Sequence, residues 1–164
     1  MFFNWILFNL MWLGCVFYGN IFAPFVLTWA VVYVCVNRAP IKQLLFIASV
    51  TFFGAFVDTM LMHAGFIQFP NQGQIIPFWL AMMWLSFALT INGCLSLLKH
   101  TPALQWLFGL IFAPLAYWAG INLSDASFGH PMWLTMIVIG ILWSLMMLLF
   151  FGVNQRLNKA ESFA

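Results

Sequence analysis

Apolar residues run along this chain in stretches much longer than one face of an amphipathic helix requires, and polar residues gather in short breaks between them. Read from those breaks, six apolar segments fall at about residues 2–18, 21–36, 42–63, 77–98, 102–121 and 131–152. A helix needs roughly 20 apolar residues to cross a bilayer core of about 30 Å. The pattern therefore predicts an all-α fold, an integral membrane bundle of about six transmembrane helices forming one domain over residues 1–164.

The first two segments carry no charge from Phe2 to Val36. One helix of that length would reach about 50 Å, too long for the core. "YGNIFAP" offers a break: Gly19 ends one helix, Asn20 caps the next, and Pro24 suits its first turn. The expectation is a tight hairpin of two short spans.

Charge then orients the path. Arg38, Lys42, Lys99, Arg156 and Lys159 follow the second, fourth and sixth segments, so all five fall on one side. Asp125, His63 and His130 fall on the other, with no lysine or arginine. Positive charge is held to the cytoplasmic face. Both termini are therefore expected in the cytoplasm, the host membrane being a bacterial inner membrane. The longest loop, "AGFIQFPNQGQII", has turn formers at Pro70, Asn71 and Gly73 and is expected in the outer interface. Trp5, Tyr33, Trp79, Tyr117, Trp118 and Trp133 sit near span ends, as an aromatic belt would. The polar tail after the last segment is expected to fray.

Composition agrees with lipid as the solvent. Residues AVILMFWYC make up 65% of the chain and DEKR 5%, against roughly 25% charged in a soluble domain. A net charge of +2 gives no reason to expect nucleic acid. "MFFNWILFNLMWLGC" lacks the basic start of a signal peptide, so the first segment reads as a retained span and Cys15 as an apolar packer. The other cysteines, Cys35 and Cys94, make no CxxC pair, and no metal site or cofactor is expected. No HExxH, GxSxG or P-loop occurs.

The residue that stands out is Asp58, in "GAFVDTMLMHAGF". It lies about 24 Å along the helix from Lys42, near the outer edge of the core, where its charged form is costly and the C-terminal end of the helix repels it. It is expected to be neutral, or hydrogen-bonded to a histidine, tyrosine, indole or backbone donor. Thr51, Gly54, Ala55, Asp58 and Met62 share one helix face, which should pack on other helices. Phe52, Phe53 and Phe56 should meet lipid, and His63 falls roughly 140° away from Asp58. Two roles fit the acid: a proton or ligand site, or a staple between helices. Ser86, Thr90 and Gly93 form a small polar stripe in the fourth segment. Gly109, Ala113, Ala116 and Gly120 should give the fifth close helix contacts, while Pro114 leaves the Leu110 carbonyl free. Asn4 and Asn9 are expected to bond between helices. Asp58, Trp79, Trp84, Pro114, Tyr117 and Trp118 fall at one depth and define a candidate aromatic cavity with one acid.

"PFWLAMMWLSFALTIN" and "APLAYWAG", with "VDTML" and "GF" upstream, resemble a family of small polytopic bacterial inner-membrane proteins of unknown function, domain of unknown function 2878. The resemblance covers about residues 40–122, with Ala113 where the family pattern has glycine before the proline. It brings no established activity. It implies a link to enzymes that modify fatty acids, whose genes accompany the family. Three functions follow as expectations: binding or modification of a membrane lipid or acyl chain in the cavity, with Asp58 as proton donor or acceptor; a small proton-coupled permease; and a non-catalytic subunit docking a partner such as a lipid-modifying enzyme. The low polarity, and the absence of a cation on the outer side, favour lipid over a polar solute.

Overall fold

The structure, a computed structural model, describes residues 1–70 and 73–161, the last four by their backbone alone. Asn71 and the residues after Glu161 lie outside that range, as does the Lys159 side chain. The helices are α1 (Phe2–Tyr18), α2 (Ala23–Asn37), α3 (Ile41–His63), α4 (Phe78–Ile91), α5 (Pro102–Leu123) and α6 (Met132–Glu161). Two 3-10 turns, Gly19–Phe22 and Cys94–Leu98, and two short strands, β1 (Ile67–Gln68) and β2 (Ser127–Phe128), complete the chain.

The six expected spans count as five helical runs, because a 3-10 turn joins α1 to α2 without a loop, and the resulting run, Phe2–Asn37, folds back on itself at that turn as the expected hairpin does. Gly19 adopts φ 55°, a region open to glycine, and the 3-10 turn carries the hydrogen bonding through to Ala23. Among the described residues, four runs are long and apolar enough to cross a membrane: Phe2–Asn37, Ile41–His63, Pro102–Leu123 and Met132–Leu157. The fifth, α4, has 14 residues rather than the expected 22 or so and rises about 21 Å. It stops where Asn92 and Gly93 leave the helix, and the next five residues tighten to 3-10. In contrast, α6 continues past residue 152, through Arg156.

Contacts fix the helix directions. The Asn4 Oδ1 accepts the Cys94 N–H at 3.1 Å beyond the end of α4, and the Asn20 Oδ1 accepts the Trp79 N–H at 2.9 Å at its start. So α1 runs antiparallel to α4. The chain then turns back: Ala23 and Val26 pack with Cys15 and Met82, and Trp29 joins the cluster around Leu89 and Ile91. On another side of α4, α3 packs through Gly54, where an added methyl would strike the Trp84 indole. Between α5 and α6 the backbones approach at Gly109, whose Cβ would stand 2.6 Å from the Ser144 nitrogen. Asn92 and Asn154 exchange amide bonds of 2.6 and 3.4 Å between α4 and α6. Gln105 donates to the Leu98 carbonyl at 2.8 Å, and Gln155 donates to that of Lys99. These pairings bring Arg38, Lys42, Lys99 and Arg156 to the same end of the bundle and leave His63, Asp125 and His130 at the other.

Burial is inverted relative to a water-soluble domain. Large apolar side chains face outward on the long helices, Phe52 at 76% and Phe56 at 58% exposure among them, while Asp58, Thr90, Gln105, Thr135, Ser144 and Asn154 are buried. A bilayer rewards that arrangement: lipid solvates the phenyl rings, and polar groups must find partners inside. Asn4 does bond to another element, whereas Asn9 turns back to the Trp5 carbonyl of its own helix at 2.8 Å.

At the end opposite the basic residues, β1 pairs antiparallel with β2, Ile67 facing Phe128 and Gln68 facing Ser127. This ladder ties the α3–α4 connection to the α5–α6 connection. Ile67 is buried among Leu61, Ala113 and Ile139, so the loop is anchored onto the helices. His130 Nε2 pairs with the Ala64 carbonyl at 3.0 Å and His63 Nε2 with that of Gln74 at 2.9 Å. A carbonyl only accepts, so both rings carry their proton on Nε2.

Candidate functional site

Asp58 is fully buried one turn beyond Gly54. The missing side chain at Gly54 lets the Trp84 ring lie against α3, and that puts the indole within reach of the acid. Trp84 Nε1 donates to Asp58 Oδ2 at 2.6 Å. Tyr117 donates its hydroxyl to Oδ1 at 2.5 Å. Trp143 Nε1 donates in turn to the Tyr117 oxygen at 3.3 Å. Trp84 and Trp143 stack with centroids 4.7 Å apart, and Phe87 sets its edge against both. One acid thus connects α3 to α4 and α5, with α6 joined through the Tyr117 hydroxyl. The donors are the tyrosine and indole expected for Asp58. His63, as its helical angle implies, bonds elsewhere.

This network forms part of the wall of a cavity of about 110 Å3, the size range that holds one small apolar group. Asp58, Trp79, Trp84 and Tyr117 meet there, joined by Trp143 from α6 and by Phe8 and Trp12 from α1. Pro114 and Trp118 lie off its wall. Pro114 is buried against Gly140 of α6, and a Cβ at Gly140 would come within 3.0 Å of the Leu110 carbonyl that the proline cannot bond. Trp118 follows Tyr117 by one residue, about 100° around the helix, and is 43% exposed. The small residues of α5 divide likewise: Gly109 and Ala113 face α6 and the core, whereas Ala116 and Gly120 line the cavity.

Several cavity residues fell outside the expected set. Trp143 sits in the middle of an aliphatic run, and an indole there is a polar handle that needs a partner; that was the available signal. Phe69 and Ile67 come from the loop, where a two-residue strand has no periodicity to read.

A second space of about 850 Å3 adjoins the first at the strand end of the bundle. The two share Val16, Phe69, Trp79, Ser124 and Ala126. The outer one also presents Asn20, Asn122 and Asp125. An apolar chamber thus continues into a polar one. Among the described residues, no three His, Cys, Asp or Glu side chains gather as a metal site.

Fold and site together define a class: a helical protein with, among the described residues, four helices of membrane-crossing length and apolarity, the makeup of a membrane protein, folded around the buried Asp58. The family model for the protein of unknown function DUF2878 matches residues 1–149, and the chain belongs to that family. The match extends beyond residues 40–122 at both ends. No curated protein and no solved structure matches the chain.

Proposed function

We propose that this protein resides in a bacterial inner membrane, with both termini in the cytoplasm, and binds the end of a membrane lipid's apolar chain in the Asp58 cavity. The observation that carries the reading is the composition of the cavity wall: indoles and phenyl rings surround a single acid whose oxygens both accept hydrogen bonds. A polar solute would need several directed donors and acceptors there, and a hydrocarbon chain needs none. The basic residues at one end of the bundle support the orientation, by the preference of lysine and arginine for the cytoplasmic side. Asp58 and Tyr117 supply an acceptor and a donor facing a bound chain, the groups that proton transfer during its modification would use. A lipid-modifying enzyme would be the partner if this chain only holds the substrate.

Native mass spectrometry tests the reading. Wild-type protein released from gentle detergent should retain lipid. Gly120→Leu should retain much less: a Cβ at Gly120 has Trp12 4.0 Å away, so the longer side chain enters the cavity without striking backbone. Equal retention by both proteins would overturn the proposal, as would solute uptake driven by a pH gradient in protein-containing vesicles.

A further inference from the structure

The outer chamber adds a statement about the head of the ligand, which rests on the lipid-chain reading above. We infer that the site takes a single-chain amphiphile whose head carries no negative charge, the end of the chain lying in the inner cavity and a hydroxyl or ammonium head in the outer one.

The first argument is continuity. The shared residues, Trp79 and Ser124 among them, make the polar space continuous with the apolar one. A ligand with the end of its chain against Trp84 and Tyr117 can place its polar end in that adjoining space. The second argument is the field in the outer chamber. Its charged side chain is Asp125, which is exposed. No lysine or arginine occurs in the sequence between Lys42 and Lys99 or between Lys99 and Arg156, and those three gather at the opposite end of the bundle. His63 and His130 do not line the chamber, and each donates to a loop carbonyl.

Backbone dipoles act in the same direction. Tyr18 and Gly19 bring the C-terminal end of α1 to the chamber, and Asn122 and Leu123 bring that of α5. Both ends carry partial negative charge. The N-terminal end of α4 is the one place here where an anion would ordinarily bind. Its Trp79 N–H is already donated to the Asn20 Oδ1 at 2.9 Å, and its Leu80 N–H to the Pro77 carbonyl at 3.0 Å. A cleft lined by one sign of charge concentrates the opposite sign and repels its own. A phosphate or carboxylate head would find no counter-charge there. A hydroxyl or ammonium head would find Asp125, Asn20 and Asn122.

The test uses the full-length protein in phosphatidylcholine nanodiscs at pH 7. Three probes share a 9,10-dibromostearyl chain and differ in the head: alcohol, amine or phosphate. Bromine quenches tryptophan, and Trp79, Trp84 and Trp143 line the cavity. The quenching seen in wild type and lost in Gly120→Leu reports the site. The alcohol and the amine should half-saturate it at a tenfold or lower mole fraction than the phosphate. Asp125→Lys should bring the phosphate to within about threefold of the alcohol. Equal binding of all three heads, or a phosphate curve unmoved by Asp125→Lys, would overturn the inference while leaving chain binding intact. Identical quenching of wild type and Gly120→Leu by every probe would instead overturn the lipid-chain reading itself.

Discussion

Replacing Asp58 with leucine removes the acceptor for two hydrogen bonds at once, from Trp84 and from Tyr117. Each such bond between helices in a bilayer is worth about 0.6–2 kcal/mol, so the two together are worth about 1–4 kcal/mol. The upper half of that range is expected, because the Trp84 N–H has no other acceptor once the carboxylate is gone and an indole nitrogen only donates. Asp58→Asn should cost about half as much or less. Its Oδ1 still accepts from Trp84, and its Nδ2 faces the Tyr117 oxygen, which accepts if the hydroxyl proton turns away. Reversible unfolding in mixed micelles, followed by tryptophan fluorescence, measures both variants, since the Trp84–Trp143 stack at 4.7 Å dissolves when α4 and α6 part. A double-mutant cycle with Tyr117→Phe should give a coupling of at least about 0.5 kcal/mol with Asp58→Asn. The reasoning is refuted if Asp58→Leu is as stable as wild type. It is refuted too if asparagine is as damaging as leucine, since charge rather than hydrogen-bond geometry would then hold the site.

The other contacts make their own demands. Gly109→Ala places a methyl against the backbone of Trp143 and Ser144; it should destabilise the protein by about 1–3 kcal/mol in the same unfolding assay, the usual cost of overpacking. Gly54→Ala should cost a similar amount and also shift tryptophan emission, because the side chain that must yield is the Trp84 indole. Asn154→Leu, which breaks the reciprocal amide pair with Asn92, should lose about 0.6–2 kcal/mol, and the double variant with Asn92→Leu should lose less than the two single losses combined. For the orientation, cysteines introduced singly at Lys99 and at Gly73 into a chain lacking Cys15, Cys35 and Cys94 should divide cleanly. An impermeant thiol reagent added to intact cells should reach position 73 and not position 99, and the opposite pattern would invert the proposed topology.

Much of the fold is legible in the apolar runs because lipid imposes so few solutions. A segment that cannot hydrogen-bond to solvent must be helical, so length and hydropathy suffice to find α3, α5 and α6. The face of α3 was legible for the same reason: with Asp58, Gly54 and Met62 at helical spacing, only one face can pack, and Phe52 and Phe56 do emerge on the other. What escaped was set by tertiary contacts. The extent of α4 depends on Asn92 finding Asn154, 62 residues away. At the site, depth along the helices was readable and azimuth was not. Trp118 shares a depth with Tyr117 yet faces outward, and Trp143 meets Trp84 only because α6 is drawn in against Gly109.

The start of α4 also bears on why there is a cavity. The helix packs against α1, α2 and α3, yet at about 21 Å it spans less than the roughly 30 Å of a hydrocarbon core. The residues lost from the expected span lie at its basic end, past Asn92, where the 3-10 turn replaces them; on the strand side α4 begins at Phe78, and what covers that end is the α3–α4 connection rather than helix. Bare loop backbone facing lipid is forbidden there, because its N–H and C=O groups would go unpaired. The chain meets that condition by holding the α3–α4 connection over the helices: β1 is laddered to β2, Ile67 is buried, and His63 and His130 bond carbonyls of the loop. A loop packs less densely over helix ends than a fifth turn of helix would. The space left beneath it, between Phe69, Trp79 and Tyr117, is the apolar chamber. On this argument cavity and ladder are one device, so cutting the ladder's anchor with Ile67→Asp should lower chain binding as severely as Gly120→Leu while leaving the distant Asn92–Asn154 pair and its share of stability intact.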